Sequence, residues 1–135
     1  MAILVTGGAG YIGSHTVIEL LNEDYEVVIA DDFSNSKPEV LNRIKELSGK
    51  DFVFHEVDVA DKEALRKVFE QHDDLEAVIH FAGYKAVGES VAKPLMYYRN
   101  NLMNSIALME LMSEFDVKNM VFSSSATVYL SLIHI

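Results

Sequence analysis

Hydrophobic residues cluster along this chain in five short runs rich in β-branched side chains. The runs are Ile3–Val5, Val27–Ile29, Phe52–Phe54, Ala77–Ile79 and Met120–Phe122. Nearly continuous apolarity over a few residues is typical of strands that are buried on both faces of a parallel sheet. We therefore predict five strands, each covered on both sides by other elements.

Between these runs, hydrophobic residues repeat at the three- and four-residue spacing of amphipathic helices. Helices are predicted over residues 11–22, 38–47, 62–71 and 94–115. On the longest of them the repeating apolar positions are Leu102, Ile106, Met109 and Met112. Strands that alternate with helices predict an α/β fold with a doubly wound parallel sheet joined by right-handed crossovers.

Length and charge narrow the classes of function. A chain of 135 residues fits one domain with a real hydrophobic core. The net charge of -10 disfavours binding to nucleic-acid phosphates, so no nucleic-acid partner is expected. An anionic ligand would have to be held by local backbone dipoles.

Other chemistry is not indicated by the residue types. The chain has no cysteine, which excludes disulfides and thiolate catalysis, and its five histidines show no metal-ligand spacing, so no metal is predicted. The N-terminus lacks a signal-peptide profile, and no apolar run approaches the roughly 18 to 20 residues of a membrane span. We expect a cytoplasmic protein without a membrane partner.

A glycine-rich turn follows the first predicted strand. The stretch TGGAGYIG over residues 6–13 places Gly7, Gly10 and Gly13 at steps of three. Before a helix, Gly7 permits a tight turn, Gly10 lets backbone approach a ligand, and Gly13 lets the helix pack against the strand. The N–H groups and positive dipole end of that helix would face the ligand, which predicts a pyrophosphate site.

An acidic residue lies at the spacing that a dinucleotide site requires. Asp31 follows Gly13 by 18 residues, at the end of the second strand, where a carboxylate accepts hydrogen bonds from an adenosine ribose. A 2′-phosphate would be repelled there, so NAD is favoured over NADP. The alternative for Asp31 and Asp32 is a solvated acidic turn.

Residues after the third and fourth strands are further candidates. Asp58 could reach an adenine while Val59 packs on its ring, or Asp58 could be an exposed loop acid. The small residues Ala82 and Gly83 allow a cofactor to approach the sheet closely. Lys85 in the same loop is either a surface lysine or a partner for a phosphate.

Four stretches resemble the extended short-chain dehydrogenase/reductase superfamily, and within it the UDP-sugar epimerases. They are VTGGAGYIGSHT (5–16), DDFSNS (31–36), VIHFAGYKAVGESVAKPLMYYRNN (78–101) and VKNMVFSSSATVY (117–129). The glycine turn marks only the superfamily, whereas AGYKAVGES and KPLMYYRNN are more specific to the epimerases. The order and spacing of these stretches agree with the family through Tyr129.

The resemblance implies a Rossmann-type NAD-binding fold and a reaction. The implied NAD-binding residues are Gly7, Gly10, Tyr11, Ile12, Gly13, Asp31, Asn35, Ser36, Asp58, Val59, Phe81, Ala82, Gly83, Lys85 and Asn100. Ser125 falls on the family's catalytic serine, whose hydroxyl hydrogen-bonds the reacting oxygen of the sugar. The implied reaction is epimerisation at C4 of UDP-glucose and UDP-galactose, with NAD as the transient hydride acceptor.

One part of the family's catalytic machinery is missing from this sequence. The tyrosines are residues 11, 25, 84, 97, 98 and 129, and none has a lysine four positions later. The family's Tyr-x-x-x-Lys motif, which supplies the base, is therefore absent. We expect an NAD-binding domain over residues 1–129, truncated after about its fifth strand, and a tail over 130–135 that matches nothing in the family, with no C-terminal substrate domain.

These observations leave three interpretations. The first is an N-terminal piece of a UDP-sugar epimerase that binds NAD without turnover. The second is a piece of a related nucleotide-sugar dehydratase or decarboxylase, which the AGYKAVGES stretch disfavours. The third is a non-catalytic NAD-binding module. In the family, dimers pair through helices like 94–115, so a homodimer is a possible assembly.

Overall fold

The predicted strands form one parallel sheet. A computed structural model describes residues 2–33, 38–81 and 94–122 of the chain. Its strands are β1 (Ala2–Thr6), β2 (Glu26–Asp31), β3 (Val53–Glu56), β4 (Leu75–His80) and β5 (Asn119–Phe122). They pair in parallel in the order β3-β2-β1-β4-β5, which confirms the predicted α/β fold with a doubly wound sheet.

The predicted helices are also present, with bounds within one residue of those expected. They are α1 (Tyr11–Asn22), α2 (Glu39–Ser48), α3 (Lys62–Gln71) and α4 (Pro94–Glu114). Local chemistry sets two of these ends. The Asp61 side chain accepts a hydrogen bond from the backbone of Ala64 at the start of α3, and Gly49, with φ of 67°, takes the left-handed conformation that ends α2.

Hydrophobic residues form one core on each face of the sheet. On β1, Leu4 belongs to the core shared with α3 and α4, whereas Val5 belongs to the core shared with α1 and α2. Successive side chains of a strand point to opposite faces, so a strand covered on both sides must be apolar throughout. All five residues of β1 are buried, as this arrangement requires.

The prediction of two covered faces is wrong for β3 and β5. Val53 is 44% exposed on β3, and Val121 and Phe122 are 60% and 58% exposed on β5. Both are outer strands of the described sheet, with a hydrogen-bonded neighbour on one side only. An apolar run alone does not distinguish a central strand from an outer one.

The apolar repeat that predicts α4 lies mostly away from the core. Leu102, Ile106 and Met109 are about half exposed, and of the four repeating positions only Met112 is buried. The core contacts come from Ala107, Leu108, Leu111 and Met112. This helix carries two apolar stripes, and periodicity does not tell which one faces the sheet. Within the described residues, no helix has the length and apolarity that a membrane span needs.

Candidate functional site

Most of the described candidate residues lie at one edge of the sheet, where the parallel strands have their carboxyl ends. The chain runs from β1 outward to β2 and β3, and then returns to the other side of β1 for β4 and β5. This reversal between β1 and β4 opens a crevice at the carboxyl edge, where doubly wound sheets bind ligands. The glycine turn follows β1, Asp31 ends β2, and Phe81 follows β4.

The glycine turn is tight and tied to the neighbouring strand. Gly7 has φ of 71°, a conformation that favours glycine, and its N–H donates to the carbonyl of Ala30 on β2 at 2.8 Å. The N–H of Gly10 then donates to the carbonyl of Gly7 at 3.1 Å, which closes the turn. The role predicted for Gly7 agrees with this geometry.

Two further glycines are required by close packing within the protein. A Cβ atom on Gly13 would lie 2.2 Å from the carbonyl oxygen of Gly7, so α1 can pack on the turn only without a side chain there. A Cβ on Gly8 would lie 2.8 Å from the side chain of Ile29. The constraint on Gly8 was not predicted, because the three-residue spacing marks only the other three glycines.

Gly10 differs from these two because the protein leaves room beside it. Within residues 2–33, 38–81 and 94–122, a Cβ there would have one neighbour within 4 Å, the Gly7 carbonyl oxygen at 3.3 Å, a tight but tolerable contact. Gly10 is also the N-cap of α1, where no side chain caps the helix, and Ile12 in the first turn is 56% exposed. The start of α1 therefore offers backbone N–H groups and a positive dipole end to an anion.

Asp31 is buried, and its carboxylate is hydrogen-bonded to the backbone after β1 and to the backbone after β2. Oδ2 accepts a hydrogen bond from the N–H of Ala9 at 3.0 Å, and Oδ1 accepts one from the N–H of Phe33 at 2.8 Å. Burial raises the pKa of this carboxyl above its usual value, while the two backbone N–H groups act in the opposite direction. The alternative of a solvated acidic turn does not describe Asp31, which is 8% exposed.

The residues after β3 form a turn of their own. Asp58 is exposed, and its Oδ1 accepts a hydrogen bond from the N–H of Ala60 at 2.9 Å. Val59 is buried at 4% exposure among residues of the α3 and α4 core. The side chain of Val59 is thus covered by protein, and the predicted contact of this pair with an adenine stays a prediction.

A buried polar pair fixes the end of β4 against β1. Thr6 Oγ1 lies 2.6 Å from Nδ1 of His80, and both side chains are buried. The N–H of Phe81 donates to the Thr6 carbonyl at 2.9 Å and lies 3.2 Å from Thr6 Oγ1. His80 thus packs at the end of a strand, and no sequence signal paired it with Thr6.

Several predicted site residues lie outside the described part of the chain. They are Asn35, Ser36, Ala82, Gly83, Lys85 and Ser125, together with the tail over 130–135. Asn100 is on α4 and Tyr11 begins α1, but their side chains are not described. The structure therefore brings together the glycine turn, Asp31, Asp58 and Phe81 at one edge and gives no geometry for the predicted catalytic serine.

Comparison with known proteins agrees with this fold. The profile of the NAD dependent epimerase/dehydratase family matches residues 3–133, nearly the whole chain. The chain belongs to the NAD dependent epimerase/dehydratase family. This membership confirms the resemblance found in the sequence, and NAD is the cofactor that the family's description names.

Individual members of this epimerase/dehydratase family are closely similar to the chain. A UDP-glucose 4-epimerase of Bacillus subtilis is 63% identical over 129 residues, which are 96% of this chain and 38% of that protein. The crystal structure of a Bifidobacterium longum UDP-glucose 4-epimerase with NAD+ and UDP superposes with a TM-score of 0.91 at 49% identity, covering 96% of this chain and 38% of that one.

A third relative shows the same partial coverage. A UDP-glucose 4-epimerase structure from Stenotrophomonas maltophila, with bound NAD and formylated UDP-arabinopyranose, has a TM-score of 0.90 at 46% identity and again covers 96% of this chain and 38% of that one. The chain thus spans less than two fifths of the length of the relatives it matches.

Proposed function

We propose that this chain binds NAD across the carboxyl edge of its sheet as the cofactor-binding part of a UDP-glucose 4-epimerase. The observation that carries the proposal is the hydrogen bond between Asp31 and the glycine turn, which places a carboxylate directly beside an anion-binding helix start. A dinucleotide needs both features, one for its ribose and one for its pyrophosphate.

The described residues fit this cofactor in shape and charge. The start of α1 carries no side-chain cap and no acidic residue in its first turn, so its backbone N–H groups remain for a pyrophosphate and no carboxylate of that turn opposes it. Asp31 would accept hydrogen bonds from the adenosine ribose and repel a 2′-phosphate, which favours NAD over NADP. These residues, with Tyr11, Ile12, Asp58, Val59, Phe81 and the predicted positions outside the described ranges, form the proposed NAD site.

The proposed reaction divides between this chain and the remainder of a longer protein. NAD, when bound, accepts a hydride from C4 of the sugar and returns it. For its own part the chain contributes the positioning of the cofactor and the hydroxyl of Ser125, which we propose hydrogen-bonds the reacting oxygen. Because the sequence contains no Tyr-x-x-x-Lys motif, we propose that these 135 residues bind NAD without turning over substrate.

The experiment that tests the proposal titrates NAD and NADP against the purified chain and assays conversion of UDP-galactose. We expect saturable NAD binding, weaker NADP binding and no conversion. Absence of NAD binding by a folded chain would overturn the proposed cofactor site. Measurable epimerisation would instead overturn the claim that the missing tyrosine and lysine are required. Turnover of other UDP-sugars by the NAD-bound protein would favour the alternative that the chain is a piece of a dehydratase or decarboxylase.

We further propose that the exposed face of α4 pairs with a second copy of the chain. Five large apolar side chains on this helix are between 45% and 84% exposed, namely Leu95, Leu102, Met103, Ile106 and Met109. Such a stripe on an otherwise charged protein is typical of an interface. Sedimentation of the wild-type chain and of Ile106→Glu tests this, because a dimer should become a monomer in the variant, and an unchanged mass would contradict it.

The remaining proposals concern location and other partners. The net charge of -10 supports the absence of a nucleic-acid partner, and the lack of cysteine is consistent with the reducing conditions of the cytoplasm. Fractionation of cells that produce the tagged protein tests the proposed cytoplasmic location.

A further inference from the structure

Two histidines that are distant in sequence meet beside the edge of the sheet. The Nε2 atoms of His55 and His72 lie 3.0 Å apart, and their rings stand nearly perpendicular, with an interplanar angle of 76°. His55 is on β3 and His72 is the C-cap residue of α3. Their separation of 17 positions follows no metal-ligand spacing, so the pair was not predicted from the sequence.

The fold explains why the two rings face each other. Phe54 packs into the core shared with α1 and α2, so the next residue, His55, points to the opposite face, which α3 covers. The helix α3 ends at Gln71, and the following residue brings its ring back over β3. Both histidines are partly buried and still reach solvent.

The pair has nitrogen atoms to offer a ligand at neutral pH. Two neutral imidazoles at this distance share one N–H···N hydrogen bond, so at most one proton lies between the two Nε2 atoms. Burial lowers the pKa of His55 below its usual value, and the charge of His72 lowers it further. The neutral form of His55, which is the form that ligates metals, is therefore favoured.

We propose that His55 and His72 together bind a divalent transition-metal ion through their Nε2 atoms. Two imidazole nitrogens at about 2.0–2.1 Å from one ion lie about 2.8–3.4 Å apart at ligand angles of about 90° to 109°. The observed separation of 3.0 Å falls within this range. A small rotation of the rings directs both Nε2 lone pairs to one ion, and the proton of the Nε2–H ring moves to its own Nδ1, so that both imidazoles remain neutral ligands.

The donor set determines the class of ion. Imidazole nitrogen suits Ni²⁺, Cu²⁺ and Zn²⁺ and does not suit Mg²⁺ or Ca²⁺, which require oxygen ligands. Among the described residues no group of three or more His, Cys, Asp or Glu side chains could hold a metal, so water completes the coordination. A site with two protein ligands is open, and its affinity is lower than that of a closed structural site.

Binding at this pair would connect β3 to the end of α3. Because an unfolded chain does not hold the two imidazoles together, the ion stabilises the folded chain by mass action. His55 is on the outer strand β3, and β2 separates it from β1. It is in register with Ala30 on β2, the residue before Asp31. This site is separate from the glycine turn and does not depend on the proposed function.

Calorimetric titration of Ni²⁺ into the 135-residue chain at pH 7.5 tests the proposal. Wild type and a control variant without the other exposed or undescribed histidines, His15→Gln/His134→Gln, should bind one ion with equal affinity. The variants His55→Gln and His72→Gln should each bind at least tenfold more weakly. Equal affinity in all four proteins, or loss of binding in the control alone, would overturn the proposal.

A second measurement does not depend on whether the single variants fold, because it uses the control variant, which keeps His55 and His72. Cu²⁺ bound to the control variant should give an electron paramagnetic resonance spectrum with splitting from two equivalent nitrogen ligands. A spectrum with oxygen ligands only would show adventitious binding to carboxylates and would overturn the proposal, whatever the stability of the variants.

Discussion

The carboxylate of Asp31 accepts a hydrogen bond at 3.0 Å from the backbone N–H of Ala9, 22 positions earlier in the chain. One residue thereby holds the glycine turn in place and also lies where a ribose would be recognised. Each oxygen of Asp31 already accepts one backbone N–H, from Ala9 or Phe33, and a carboxylate oxygen can accept a second donor. A fixed carboxylate is thus available to a cofactor without rearrangement.

Replacement of Asp31 by asparagine should weaken NAD binding. The amide retains the shape of the side chain but offers one acceptor oxygen and no charge, so it loses a charge-assisted bond worth about 1.5–3 kcal/mol. That loss corresponds to a roughly tenfold to hundredfold higher Kd. The ratio of NADP to NAD Kd should fall as well, because the repulsion of a 2′-phosphate is removed. Calorimetric titration with both cofactors measures these changes.

Asp32→Asn is the matched control for that variant. It removes the same charge one position further along, from an exposed side chain. We expect a change in NAD affinity of less than about threefold, as for a screened surface charge. Equal losses in the two variants would indicate that net charge, and not the geometry at Asp31, governs the affinity.

The raised pKa of Asp31 predicts opposite pH trends for binding and for stability. The proposed ribose contact requires the carboxylate form, so NAD affinity should fall as the pH decreases through a value above the ordinary aspartate pKa of 3.8. The folded chain, however, binds this proton more tightly than the unfolded chain. The contribution of Asp31 to stability is therefore fully present below the unfolded pKa and is lost as the pH rises through the folded pKa.

Comparison with Asp31→Asn isolates that contribution. The free energy of unfolding of the wild type, relative to the variant, should increase as the pH is lowered from 7 towards 4. Urea denaturation at several pH values measures the difference. If this relative free energy of unfolding decreased instead, the two backbone hydrogen bonds to Asp31 would outweigh its burial, and the pKa of Asp31 would be lowered in the folded chain.

Substitutions at Gly10 and Gly13 should separate cofactor binding from folding. Gly13→Ala places a Cβ 2.2 Å from the Gly7 carbonyl oxygen, so we expect a loss of more than about 2 kcal/mol in the free energy of unfolding. Gly10→Ala meets that oxygen at 3.3 Å and should cost less than about 1 kcal/mol, yet weaken NAD about tenfold by occupying space above the turn. Urea denaturation and NAD titration of both variants check this, and a stable Gly10→Ala chain with full NAD affinity would contradict the proposed pyrophosphate position.

The fold was largely predictable because local pattern determines it. Apolar runs and helical periodicity located every described strand and helix, and the glycine turn with Asp31 indicated the carboxyl edge. These signals lie within a few residues of each other or at a known spacing, so a single sequence carries them.

What the sequence did not reveal depends on contacts between distant segments. The pairing of Thr6 with His80 spans 74 positions, and that of His55 with His72 joins a strand to a helix end, so neither has a local signature. The face of α4 that packs on the sheet was not predicted, for a related reason. Leu102 and Leu108 are equally apolar, and only the position of the helix over the sheet decides that Leu108 is the buried one.

The buried pair of Thr6 and His80 leads to the final prediction. Thr6→Val preserves the shape of the side chain but removes the hydroxyl that lies 2.6 Å from His80 Nδ1, in a site where His80 is 3% exposed. Loss of a buried hydrogen bond costs about 1–3 kcal/mol, so the urea midpoint should fall clearly. Thr6→Ser keeps the hydroxyl and loses a methyl group, and it should therefore be the more stable of the two variants. The opposite order would show that Thr6 stabilises the end of β4 by packing alone.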